Sequence, residues 1–219
     1  MAIRSRAVSD AQKEERRESI LHSALELFRE ESFDAINVAR VAERAGIAKG
    51  TIYLYFTTKE EMFLALYRKG YTTWIKLMEE ELLSGQGRHS IPKIASLFVK
   101  TLAGEQDFLR LTAILHTRLI PNIPLEAEHV FKGFMRESLR RLGPLLEENL
   151  DFLRSGDGLA LLVRTQALII GLQHLARSAP AISEATREEI PDPLNIDFSR
   201  ALNQTLTVML IGLKTARRS

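Results

Sequence analysis

The sequence predicts an all-α protein, with a three-helix helix-turn-helix head followed by a larger helical body. Three observations carry this. Apolar residues recur at the three-to-four spacing of a helix face along most of the 219 residues, and no stretch alternates in the strand period. Residues 37–59, NVARVAERAGIAKGTIYLYFTTK, read as two short helices hinged at one glycine and followed at once by a capped third. Beyond residue 90, Pro and Gly cut the pattern into helix-sized pieces.

Residues 1–8 carry Arg4 and Arg6 without periodicity and are expected to form a mobile arm. Ser9 and Gln12 match a capping box, in which two side chains satisfy each other's orphan backbone amides. Ile20, Leu21, Ala24, Leu25, Leu27 and Phe28 then give one stripe, so helix 1 is predicted over 10–31. Residues 32–36 connect, with Phe33 and Ile36 filling a small core. Asn37 is a good N-cap for helix 2, whose apolar face is Val38, Val41, Ala42 and Ala45. Gly46 ends it, because glycine takes positive φ without a Cβ penalty. Small Ala42 lets the neighbouring helix approach. Ile47 and Ile52 resume the face in helix 3, predicted over 49–56.

Thr58 with Glu61 forms a second capping box, opening helix 4. Its apolar positions continue through Trp74, Ile75 and Met78 to about residue 83, longer than a small head needs, so it reads as a linking helix. Residues 84–90, SGQGRHS, are a loop. In the body, helices are expected over 91–103, with Pro92 tolerated in the first turn, and over 106–119, ended by Pro121 and Pro124. The next covers 125–150, with a kink or break at Gly143–Pro144. Residues 158–178 follow, apolar on most of the circumference. Residues 179–197, with Pro180, Pro191 and Pro193, form a long irregular connection. Asp197 caps a last helix over 198–214, before a basic tail at Arg217 and Arg218. The expected domains are residues 1–69 and 70–219.

Composition narrows the function. With 45% hydrophobic and 26% charged residues the chain is an ordinary globular protein. No cysteine means no disulfide and no thiolate metal site, in keeping with a reducing cytoplasm. The N-terminus lacks a signal-peptide core. The apolar run 158–175 is interrupted by Arg164 and Gln166 and is expected to fall short of a membrane span, so no membrane partner is expected. Net charge is +2, and the first 73 residues carry twelve Lys/Arg against eleven Asp/Glu. Any nucleic-acid face must therefore come from local placement.

A glycine turn between two short helices is what helix-turn-helix DNA readers need, because the first helix braces the second in the major groove. Ala48, Lys49, Gly50 and Thr51 stand at the start of helix 3. Lys49 can donate to a guanine O6 or N7, while Gly50 and Thr51 allow close approach. Tyr53 and Tyr55 lie about 200° apart on a helix, so at least one projects outward, where its hydroxyl suits a phosphate. Lys59 opposes the macrodipole of helix 4 at a cost of roughly 0.3–1 kcal/mol, which a phosphate at the same helix start would explain. Arg40 and Arg44 are open between phosphate contact and helix-face solubility. Arg4 and Arg6 are open between a minor-groove arm and a disordered tail.

The segment INVARVAERAGIAKGTIYLYFTTKEEMF resembles the DNA-binding domain of the TetR/AcrR family of transcriptional regulators, and residues 10–69 look like that domain as a whole. The matching positions are Val41, Ala42, Ala45, Gly46, Ile47, Gly50, Thr51, Ile52, Tyr53, Tyr55, Phe56, Lys59, Glu60 and Met62. Asn37 stands where the family usually has Thr or Ser, and Val41 where it has Ile; neither change disturbs the pattern. The resemblance implies a homodimeric regulator, ligand-responsive and most often a repressor, on near-palindromic operator DNA in the cytoplasm. It gives both tyrosines backbone-contact or packing roles. DNA-binding residues are thus expected at Asn37, Ala48, Lys49, Gly50, Thr51, Tyr53, Tyr55 and Lys59.

The body carries no motif of its own, and its roles follow the resemblance. Leu202, Leu206, Met209, Leu210 and Leu213 on the last helix are expected to dimerise, with 158–178, as a four-helix bundle. Leu111, Leu115, His116, Phe131, Met135, Gln166, Ile170 and His174 are the candidate effector contacts, for a small hydrophobic or aromatic ligand. No cofactor and no metal site is expected, since His22, His89, His116, His129 and His174 lack ligand spacing, and no nucleophile or phosphate-loop motif is present. The alternatives are an interaction module of this fold that no longer reads DNA, and an enzyme carrying a DNA-binding head. If the division of labour holds, Lys59→Ala weakens binding equally across DNA sequences, while changes at Lys49 or Thr51 alter sequence preference; salt-dependent binding measurements separate the two.

Overall fold

The computed structural model describes residues 2–84, 88–183 and 196–217, with side chains for 10–84, 88–176 and 196–217 of these. The side chains of Arg4 and Arg6, residues 85–87 of the expected loop, residues 184–195 of the long connection, and Arg218 lie outside the described residues. Among the described residues there are α-helices and no strand: α1 (Ala2–Glu30), α2 (Val38–Arg44), α3 (Lys49–Ile52), α4 (Lys59–Ser84), α5 (Ile91–Leu102), α6 (Gln106–Ile114), α7 (Leu125–Asn149), α8 (Asp157–Ser183) and α9 (Phe198–Ala216). The chain divides into two compact units. One is Met1–Lys69 with Ile114–Glu128, and the other is Gly70–Ala113 with His129–Ser219.

Local capping chemistry fixes most helix starts. Asn37 Oδ1 accepts from the Arg40 amide at 3.1 Å, and Asp197 Oδ1 from the Arg200 amide at 3.0 Å. Thr58 and Glu61 form the reciprocal box: the Glu61 amide donates to Thr58 Oγ1 at 3.1 Å and the Thr58 amide to Glu61 Oε2 at 3.3 Å. Gly46 ends α2 at φ +65°. The box expected at Ser9 is not used. Residues 2–8 contain neither Gly nor Pro to stop a helix, so α1 runs through Ser9 to Ala2 and replaces the expected arm.

In the first unit, Phe28 and Phe33 pack on Phe63 with ring centroids 5.3 and 5.1 Å away. Ile36, Val41, Ile52 and Phe56 close this core, each at most 5% exposed. The segment after α6 also belongs here. The expected helix over 106–119 leaves the α form at Ile114 and continues as a π-helical turn, Leu115–Leu119, then a 3-10 turn, Ile120–Asn122. Leu115 and Leu119 are fully buried, and Arg118 Nη2 reaches Asp34 Oδ2 at 3.2 Å.

The second unit is organised around Trp74. Its indole N–H donates to Thr101 Oγ1 at 3.1 Å, and that hydroxyl donates in turn to the Leu97 carbonyl at 2.9 Å. Tyr71 meets Trp74 edge-on at 5.5 Å and Phe134 at 5.8 Å, and Phe108 stacks on Trp74 at 6.4 Å. α7 does not break at Gly143–Pro144. Gly143 has no Cβ to add to the crowding before a proline, and Pro144, which donates no amide to the Arg140 carbonyl, lies on the exposed side of the helix. Gly158 lets α8 come in to backbone contact with α7: a Cβ on it would lie 2.2 Å from the Gly143 carbonyl oxygen, and one on Gly143 would lie 3.3 Å from the Leu159 nitrogen. From α7, Glu147 Oε1 accepts from the Gly156 and Gly158 amides at 2.8 and 3.0 Å, capping α8 from outside.

One expectation about α8 is corrected. Over Asp157–Ala176 the mean hydropathy is 1.4 despite Arg164 and Gln166, so length and composition alone would allow a membrane span. Only 28% of that stretch is buried, and Leu159, Val163 and Leu175 are exposed. Gly158→Ala should lower stability by roughly 1–3 kcal/mol through forced separation of α7 and α8. Gly133→Ala, at a position open to solvent, should not; urea denaturation of the two variants tests this.

Candidate nucleic-acid interface

The helix expected over 49–56 is α-helical only from Lys49 to Ile52. It then tightens: the Leu54 amide donates to the Thr51 carbonyl at 3.2 Å and the Tyr55 amide to Ile52 at 2.9 Å. The fold still turns one face outward. Ile52 and Phe56 are buried, Thr51 and Tyr55 half-buried, and Ala48, Lys49, Gly50, Tyr53 and Leu54 exposed. Tyr53 is therefore the outward phenol of the pair. Nothing lies within 4 Å of where a Gly50 Cβ would stand, and its φ is not in the left-handed region, so the fold itself does not demand glycine there. What the missing side chain leaves is room for another molecule. Leu54, 77% exposed, was not among the expected contacts. The spacing 49, 50, 53, 54 on one face was the signal that could have found it.

Lys59 has partners inside the head. Its Nζ donates to the Phe33 carbonyl at 3.0 Å and the Ile36 carbonyl at 2.8 Å, and stands 4.2 Å from the centre of the Phe33 ring. These bonds explain a cation in the first turn of α4 without a phosphate. Asn37 likewise spends its Oδ1 on capping α2. Arg40 and Arg44, open from sequence, both face carboxylates at the end of α1: Arg40 pairs with Glu31, the residue just past the helix, and Arg44 with Glu30 at 2.8 and 2.5 Å. The Arg44 guanidinium, bonded to Glu30, holds that carboxyl below its ordinary range. Lys69 pairs with Glu18, and Arg17 with Glu14 at 3.4 Å. Such exposed pairs add little stability in water, but they consume charge. Lys49 has no such pair among the described residues.

Of the expected effector residues, Leu115 and His116 fall in the first unit, and the other six in the second. Leu111, Leu115 and Phe131 are core; His116 and His174 are exposed; Met135, Gln166 and Ile170 are half-buried. On α8 the inward face is one residue away from the expected one, at Leu161, Thr165, Ile169 and Gln173. Thr165 is 0% exposed and its Oγ1 has no hydrogen-bond partner among the described residues. Thr101 and Thr112, equally helical and buried, bond the carbonyl four residues back at 2.9 and 2.8 Å. Of the expected dimerisation residues, Leu202, Leu206 and Leu210 are fully buried within the single chain, and Met209 and Leu213 are half-buried. The apolar side chains that α9 exposes are Val208 and Ile211. Apolar residues ring much of α8 and α9, so periodicity alone could not separate inner from outer faces.

Comparison with known proteins places the two parts of the chain. Residues 20–66 match the family model described as bacterial regulatory proteins, tetR family, and residues 68–217 match that of the tetracyclin repressor-like C-terminal domain. The HTH-type transcriptional regulator RutR of Escherichia coli is 28% identical over 96% of this chain and 94% of its own length. The fatty acid metabolism regulator protein of Bacillus subtilis is 26% identical over 57% of this chain and 64% of its own. A crystal structure of the transcriptional regulator FadR from Bacillus subtilis in complex with stearoyl-CoA superposes with a TM-score of 0.53. It is 22% identical in sequence and covers 88% of this chain and 96% of that one. Lys59→Met should cost roughly 1.5–3 kcal/mol, the range for hydrogen bonds to a charged group, because the Phe33 and Ile36 carbonyls lose the ammonium they share. Denaturant unfolding of the full chain measures it.

Proposed function

The chain belongs to the tetR family of bacterial regulatory proteins, and on that premise we propose that it is a homodimeric, ligand-responsive transcriptional repressor. It acts in the cytoplasm on a near-palindromic operator. The observation that carries this reading is the outward face Lys49–Gly50–Tyr53, on a short helix braced by α2 across the Gly46 turn. In a dimer the two copies of α3 enter successive major grooves, about 34–36 Å apart. Lys49 and Thr51 reach base edges, and Tyr53 a phosphate. Lys59, occupied by carbonyls, acts mainly by holding the head together.

Dimerisation is supported by apolar residues that a lone chain leaves in water: Leu159, Val163 and Leu175 on α8, and Val208 and Ile211 on α9. Two such helices from each chain make a four-helix bundle across a twofold axis. This is also the reading that best suits the membrane-like composition of α8, which a partner chain would cover.

For the effector we infer a long-chain acyl thioester. Support comes from the likeness to a fatty acid metabolism regulator and to a structure holding stearoyl-CoA. The ring cluster of Tyr71, Trp74, Phe108 and Phe134 is apolar enough for such a chain. Thr165 supplies a buried hydroxyl that an acyl carbonyl would satisfy. Ligand binding shifts a two-state equilibrium through α4, which runs from the head into the body. Misplaced heads then engage one half-site only and lose avidity.

A gel shift on DNA upstream of the protein's own operon tests the reading. Binding at low salt is expected, with release by palmitoyl-CoA and not by coenzyme A alone. A confirmed dimer that shifts no DNA favours the interaction module. Val208→Glu with Ile211→Glu should give a monomer in sedimentation and lower operator affinity by roughly a hundredfold or more.

A further inference from the structure

We propose that Leu54 is a sequence-specifying residue, and that it reads the 5-methyl group of thymine in each half-site. The proposal rests on the DNA-binding reading above and adds to it the chemistry being read. Among the described residues of the head through Lys69, the large apolar side chains that stand exposed are Tyr53, 50% exposed, and Leu54, 77% exposed. They are adjacent, and both belong to the segment that turns outward. A large alkyl group held in water is unremarkable when scattered over a surface. Here it sits within the face that the helix-turn-helix presents.

The charge arrangement points the same way. Arg40, Arg44, Lys69 and Arg17 face carboxylates, and Lys59 faces two carbonyls. The outward face is left with one cation, Lys49, one phenol, Tyr53, the half-buried hydroxyl of Thr51 and the bare backbone of Gly50. Such a surface has few donors with which to read base edges by hydrogen bonding. The major groove offers one apolar feature, the thymine methyl, and an aliphatic side chain is what recognises it. Gly50 lies one turn before Leu54 and has open space where a Cβ would stand, so a base edge can approach beside the leucine.

The operator is first defined by selecting bound fragments, and each thymine of a half-site is then replaced singly by deoxyuridine, which removes only the methyl. At one or two positions the wild-type affinity should fall roughly fourfold, the value of one buried methyl-sized group. In Leu54→Ala the same replacements should change affinity by less than about 1.5-fold, and in Leu54→Met the sensitivity should persist. A wild-type protein indifferent to every replacement overturns the proposal. So does a Leu54→Ala variant, folded by thermal melting, that keeps the full sensitivity. Failure to bind any DNA at low salt overturns the DNA-binding reading itself, and this proposal with it, which is a different result from methyl-independent binding.

Discussion

The ammonium of Lys59 holds the head in register. In the connection between α1 and α2 the Phe33 carbonyl accepts the Ile36 amide, at 3.3 Å, and it and the Ile36 carbonyl both have room for a further donor. One cation from the first turn of α4 answers both and covers the Phe33 ring that packs on Phe63. The α1–α2 connection and the first turns of α4, distant in sequence, are thereby tied at a single point. The placement of α2, and through the Gly46 turn of α3, depends on it. A neutral side chain of similar length would fill the space and leave both carbonyls without the charged donor.

Charge in the head follows from this kind of internal use. A near-neutral sequence could have meant a weak electrostatic attraction to nucleic acid or an attraction concentrated in a few groups. The pairs from α2 to the C-terminal end of α1 and the residue after it, Arg44 with Glu30 and Arg40 with Glu31, favour the second, since they neutralise cations that helix spacing alone could have assigned to phosphate. Affinity then rests on few contacts per chain. That is the situation in which doubling the contacts through a twofold partner has the largest effect.

What was legible in the sequence was local. Asn37, Asp197 and the Thr58–Glu61 pair cap the helices they precede because a cap needs only three or four neighbouring residues. Gly46 could be read because positive φ is a property of one residue. Non-local facts were not legible. The partner carbonyls of Lys59 lie 26 and 23 residues away. The inward face of α8 falls at Thr165 and Gln173 and not at Gln166 and His174, because an apolar circumference offers no phase to choose. Pro144 looked like a break, yet α7 runs on through it with the proline on its exposed side.

The approach of α8 to α7 at Gly143 and Gly158 has a consequence for how this chain can diverge. The two helices meet there backbone to backbone, and the Glu147 carboxylate seals the joint by holding the first amides of α8. No larger side chain can enter at Gly158 without moving a carbonyl. The joint therefore acts as a fixed datum from which every side chain farther along α8 is placed. Residues lining the interior can be exchanged to suit a different effector while their depth and angle stay constant. The body can change its chemistry without resetting its geometry, provided that one small contact is left alone.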